Sequence, residues 1–260
     1  MLVIMIWAGS AEPAPAPLLR AHAHNDYEHE RPLLDALALG FCSVEADIHL
    51  VDGELLVAHD REDVDPARTL DALYLKPLWE RFEANNGHIY PDPAPFTLLI
   101  DIKGNGAAAF EVLDRQLAEY APMLTHFTST STAPGAVTAI ISGDRPVDAI
   151  LASNPRRAAI DGRLRDLEGP LNPHETPLVS DNWFAHFRWL GSGDMRPEDA
   201  EKLTATVAKA REKGVRLRFW AIPQTRETWS RLYDAGVDLL NADKLAELHA
   251  VLMEKGSVPR

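Results

Sequence analysis

Short apolar runs bounded by Gly, Pro, Asn and Asp alternate along this chain with longer stretches whose apolar residues recur at helical spacing. Strand character falls at 17–22, 42–50, 54–59, 96–103, 136–141, 156–161, 177–180, 215–222 and 237–242. Between these lie RPLLDALALG, GAAAFEVLDRQLAEYA, RPEDAEKLTATVAKAREKG, TRETWSRLYDAG and DKLAELHAVLMEKG. Several carry helix punctuation, with Pro near the first turn, acids early, Lys or Arg late and Gly at the end. Such alternation predicts right-handed βα units and a parallel sheet. About eight units in 260 residues fit an α/β fold of the (β/α)8 TIM-barrel type better than an open sheet. We expect one barrel domain over 17–260, with 84–95 (ANNGHIYPDPAP) as a loop excursion from it.

Strand periodicity singles out SVEADIHLVDGELLVAHD. Alternate residues share a face, so Glu45 and Asp47 point one way while Val44, Ala46 and Ile48 point the other, into a helix layer. Two inward carboxylates repel unless a cation lies between them, and a divalent metal is the economical answer. Asp52-Gly53 makes a tight turn, and ELLVAHD returns His59 to the same end. The competing reading is an ordinary solvated hairpin. FTLLIDIKGNG repeats the logic: Leu99, Asp101 and Lys103 share a face, Asp101 offers a third oxygen ligand, and Lys103 is placed to neutralise an anionic substrate. An Asp–Lys salt bridge across the mouth is the alternative there. Three oxygen ligands suit Mg2+ or Ca2+ better than Zn2+.

A formal charge of −13 argues against a nucleic-acid or anionic-membrane binder. The single cysteine, Cys42, excludes a disulfide framework and a cysteine-based zinc cluster, and its apolar neighbours mark it as packing. Residues 1–16 read as a signal-peptide remnant or a disordered leader, with an apolar run far too short to span a bilayer. Export to the periplasm or outside the cell is the expectation, with the cytoplasm as the alternative. No transmembrane segment is expected, and the chain is expected to be a monomer.

The order H…E-x-D…H-D…D-x-K…W…N, with HAHNDY ahead of PLLDALALGFCSVEADIHLVDGELLVAHD, resembles the glycerophosphodiester phosphodiesterase and phosphatidylinositol-phospholipase-C superfamily. Within it the chain resembles the "altered inheritance of mitochondria" group, and its H-x-x-N start is similar to the spider sphingomyelinase D-like branch. The resemblance covers the chain after residue 17, most strongly over 22–60 and 96–106. It implies a metal-dependent phosphodiesterase acting on a small-molecule or lipid phosphodiester. By the same resemblance His22 and His59 are the catalytic histidines, and Glu45, Asp47 and Asp101 the metal ligands. Lys103 is the basic group near the phosphate, Trp220 a pocket wall, and Asn241, a polar residue ending the last strand, a further substrate-binding group. The family's Arg-Gly after the first histidine is replaced by Ala23-His24, which leaves His24 or Asn25 as substitute phosphate contacts.

Two other readings stand beside it. H-x-H also begins many metal-dependent amidohydrolases, in which His22 and His24 would both be ligands. His88, His126, His174, His186 and His249 end no strong strand, which weighs against that fold of chemistry. A non-catalytic barrel that binds a phospholipid or sugar phosphate at the same mouth is the other. Trp183, Phe184, Phe187 and Trp189 read as the buried face of a βα connection, with an apolar substrate wall as the alternative.

Overall fold

The structure, a computed structural model, describes residues 14–256. The strands are β1 (Leu18–Ala23), β2 (Phe41–Val51), β3 (Glu54–Val57), β4 (Phe96–Ile102), β5 (His126–Phe127), β6 (Thr132–Ala133), β7 (Val137–Gly143), β8 (Ala158–Gly162), β9 (Leu178–Asn182), β10 (Arg216–Trp220) and β11 (Leu240–Ala242). Eight of them run parallel in the order β1-β2-β4-β7-β8-β9-β10, with β11 returning to β1. β3 folds back antiparallel on β2, and β5 with β6 forms a separate small pair. One bridge, Arg218 to Leu239, spans β10 and β11, so the TIM barrel is nearly closed.

The last strand starts later than its sequence predicts, and a side chain is the cause. The Asp238 carboxylate accepts the Leu217 N–H, while the Asp238 and Leu239 N–H groups both donate to the Leu217 carbonyl. That pattern replaces ladder pairing until Leu240. Three α-helices lie outside the expected stretches: Lys76–Ala84, entered through a π-turn over Asp71–Leu75, Val147–Ala152, and the single turn Trp183–His186. The segment 84–95 is a loop, as expected, but it is docked and not an excursion. Ile89 and Tyr90 are buried, and the Tyr90 hydroxyl donates to the Phe41 carbonyl at 2.6 Å, where β2 begins.

Two apolar cores result. Val44, Ala46 and Ile48 join the shell between sheet and helices, together with helix stripes such as Ala109-Phe110-Leu113-Leu117 and Leu203-Val207-Ala210. Inside the barrel, Leu99, Ile140, Leu178 and Leu239 form a separate buried cluster that plugs it. Above this plug the inward residues turn polar towards the C-terminal strand ends. Trp183 stacks on Phe187 with centroids 4.1 Å apart, and both meet Phe219 edge-on; with Trp189 they are buried, and only Phe184 is exposed. The aromatic group is therefore core and no substrate wall. Cys42 is buried as packing. The leader over residues 1–13 lies outside the described residues. Among those described, no helix is long and apolar enough to cross a membrane.

Gly143 ends β7 with φ of 68°, where an added Cβ would be driven against the Ile102 carbonyl and the Asp101 carboxylate. Gly143→Ala is expected to cost about 1–3 kcal/mol in urea unfolding, since a strained φ and a clash act together.

Candidate active site at the barrel mouth

β2 supplies Ser43, Glu45 and Asp47 on its inward face, and Asp47 pairs in register with Asp101 of β4. Ligand atoms of Glu45, Asp47 and Asp101 lie within 4.8 Å of one another. Among the described residues, this is the group of acids, histidines and cysteines able to share one ion. Neither His22 nor His24 belongs to it. His24 turns to the rim, where its Nδ1 sits 2.6 Å from Asp243 Oδ1, so the H-x-H pair does not converge as an amidohydrolase would require.

Cations already stand among the acids. Lys103 Nζ lies 2.8 Å from Asp47 Oδ2 and 3.2 Å from Asp101 Oδ1, which realises the Asp–Lys bridge weighed above within the metal-ligand group itself. The buried Arg218 guanidinium pairs with Glu45 Oε2, and its Nε donates to Asn241 Oδ1 at 2.9 Å. Burial alone would raise the Glu45 carboxyl, but Arg218 and His22 hold it well below the usual carboxylate range. Asp47 is raised by burial and by Glu45, with Lys103 opposing. One of its oxygens, Oδ1, is buried without a partner among the described residues. An orphan carboxylate oxygen between two further acids fits a hard divalent cation, whose preferred donors are oxygens.

The two histidines differ. His22 is fully buried, with Nδ1 2.7 Å from Ser43 Oγ and Nε2 3.3 Å from Glu45 Oε2. Burial, reinforced by Arg218, lowers it to about 3, so the ring is neutral near pH 7. A proton on Nε2 satisfies Glu45, and Nδ1 then accepts from the Ser43 hydroxyl. The His59 side chain is 53% exposed and is anchored through Nδ1, which lies 3.2 Å from both Asp47 Oδ2 and the Tyr27 hydroxyl oxygen. Tyr27 donates to Asp47 Oδ2 at 2.6 Å. The proton of His59 therefore belongs on Nδ1, leaving the Nε2 lone pair for the mouth.

The stretch after β1 is clamped from inside. The buried Asp26 carboxylate accepts from the Tyr74 hydroxyl at 3.0 Å and from the N–H of Leu33, which has the unfavourable φ of 63°. This fixes the turn that carries Tyr27. Asn25 also takes positive φ, and its side chain reaches only Glu28, at 3.5 Å. Neither His24 nor Asn25 hydrogen-bonds to the three acids. Asn241 is 1% exposed; its Oδ1 accepts from Arg218 Nε, while its Nδ2 has no partner among the described residues. Trp220 stands at the end of β10, partly buried, with the Arg163 guanidinium 5.0 Å from its ring centroid. Arg218 and Tyr27 went unassigned in the sequence. Strand parity with Trp220 could have flagged Arg218, an arginine in an otherwise apolar run.

The fold is a TIM barrel of the phosphodiesterase type. A solved glycerophosphodiester phosphodiesterase from Agrobacterium tumefaciens superposes with a TM-score of 0.53 over 91% of this chain and 99% of its own, at 16% identity, a likeness of fold. The AIM6-like phosphodiesterase domain matches residues 15–160. The altered inheritance of mitochondria protein 6 homolog of Arthroderma benhamiae is 28% identical, over 85% of this chain and 80% of its own length. Altered inheritance of mitochondria protein 6 of Eremothecium gossypii is 30% identical, over 88% of this chain and 68% of its own. The chain belongs to the AIM6-like phosphodiesterase family.

Burial pushes Asp26 up to about 7, against the pull of the Leu33 N–H and the Tyr74 hydroxyl. The folded state thus holds this proton more tightly than the unfolded chain, and that stabilisation is full below the unfolded value of about 4 and gone above about 7. Urea unfolding at a series of pH values should show Asp26→Asn gaining on the natural protein from pH ~4 to ~7, with a constant difference at higher pH.

Proposed function

We propose that the chain is a metal-dependent phosphodiesterase that cleaves a glycerophosphodiester or phospholipid-type diester by paired histidine acid–base catalysis. The observation carrying this reading is the convergence of Glu45, Asp47 and Asp101 at the mouth, with His22 and His59 beside them. Charge supports it. Three carboxylates against Lys103 and Arg218 leave one excess negative charge, and a divalent cation turns this into one excess positive charge that suits a diester monoanion.

Glu45, Asp47 and Asp101 would hold Mg2+ or Ca2+, which supplies Lewis-acid polarisation of a non-bridging phosphate oxygen. Lys103, now spent on Asp47 and Asp101, is then free to donate to the phosphate. His59, with its Nε2 open, takes the proton of the attacking hydroxyl or returns one to the leaving oxygen, and His22 takes the complementary part through Nε2 in the tautomer that places its resting proton on Nδ1, towards Ser43 Oγ. Tyr27 and Asp47 keep the His59 ring oriented throughout. The attacker can be a hydroxyl of the substrate itself, in which case a cyclic phosphate forms. A barrel that merely bound a phosphate ester would have no use for an imidazole so oriented. The strong negative charge favours a small-molecule or lipid diester over nucleic acid, and the apolar residues 2–7 ahead of a Pro-Ala spacer support export.

Phosphorus NMR of a diester panel with Mg2+ or Ca2+ tests the reading and separates cyclic from open-chain product. Chelation with EDTA should abolish cleavage, and added cation should restore it. His59→Ala and His22→Ala should each lower kcat about 10²–10⁴-fold. Full activity in EDTA would remove the metal from the account.

A further inference from the structure

The side of the mouth away from the acids carries a second cationic device. Arg163 directly follows β8, and its backbone N–H donates to Asp166 at 2.7 Å, which fixes where the side chain begins. Its Nη1 donates to Asp161 Oδ2 at 2.8 Å and to the carbonyls of Asp161 and Gly162. Asp161 is fully buried and also accepts from the Ser142 and Ser180 hydroxyls. Held at one end, the guanidinium lies over the Trp220 ring. Because β9 separates β8 from β10, Arg163 crosses the end of a whole strand to make that contact. Among the described residues its Nη2 has a single long contact, 3.3 Å to Ser142 Oγ, and its Nε donates to no acceptor.

A quaternary ammonium is recognised through an open aromatic face. Here Arg163 covers the indole, and its charge repels a second cation. An anionic group meets the opposite situation, because Nε and Nη2 are the adjacent donors that grip a carboxylate or phosphate in bidentate fashion. Arg145, just beyond β7, adds a nearby guanidinium that has no carboxylate partner among the described residues.

We propose that Arg163, tethered by Asp161 over Trp220, is a specificity-determining residue that selects diesters whose alcohol arm bears an anionic group and turns away arms ending in a quaternary ammonium. This rests on the phosphodiesterase reading above and names its substrate class.

Three diesters separate the arms by charge: glycerophosphoinositol 4-phosphate, glycerophosphoinositol and glycerophosphocholine. With Mg2+ present, kcat/KM for the natural protein should fall in that order, by about tenfold or more from first to last. Arg163→Gln, which retains a donor for Asp161, should compress the order to about twofold, mainly by loss on the phosphorylated diester. Choline cleaved as well as or better than the phosphorylated arm overturns the inference and leaves the enzyme reading intact. The natural protein's order decides the matter even where the variant fails to fold. Calorimetric binding of the same three diesters reads the order without turnover. Ordered binding with no cleavage of any diester would sink the phosphodiesterase reading and keep the selectivity, whereas equal binding would sink the selectivity.

Discussion

Carboxylates gathered at the ends of two adjacent buried strands repel one another, and they can share a site only when cations stand among them. Glu45, Asp47 and Asp101 meet that constraint with Arg218 on one flank and Lys103 on the other. The two cations differ in kind. Arg218 is buried, pinned by Asn241 and committed to Glu45, so it belongs to the scaffold. Lys103 sits at the rim on a flexible stem, partly exposed, and bridges Asp47 and Asp101. Breaking a buried pair leaves a lone buried charge, whereas moving a rim lysine exposes it to water, and the site uses each where that difference serves it.

The rest of the fold keeps this charged layer dry below and accessible above. Leu99, Ile140, Leu178 and Leu239 seal the barrel beneath the acids, and the outer faces of the same strands pack against helices. The hairpin of β2 and β3 brings His59 back to Asp47, its position further fixed by Tyr27. Tyr27 in turn depends on the turn locked by Asp26, Leu33 and Tyr74. The segments that carry Tyr27 and His59 are thus tied to the barrel by hydrogen bonds, which is how a surface segment achieves the precision of a strand.

Much of this was readable in the residues. Period-two alternation gave the faces of Glu45, Asp47 and Asp101, because a strand fixes side-chain direction locally, and the barrel follows from the count of βα units. What sequence could not supply was contact between distant strands. Asn241 ends the last strand, and its hold on Arg218 of the neighbouring strand shows only in the closed ring. The Nδ1 of His24 is held at the rim by Asp243, which is over two hundred residues away. Arg163 over Trp220 is likewise invisible without the closed ring of strands. The aromatic run 183–189 was settled only by Phe219 packing against it.

The central claim is that the three acids form one cation site whose occupancy frees Lys103. Crystals soaked in Mn2+ and measured at its absorption edge test it directly. The account predicts one anomalous peak bonded to Glu45, Asp47 and Asp101, with Lys103 swung out of the carboxylate group. No peak at that position, with Lys103 still bridging Asp47 and Asp101, would contradict it.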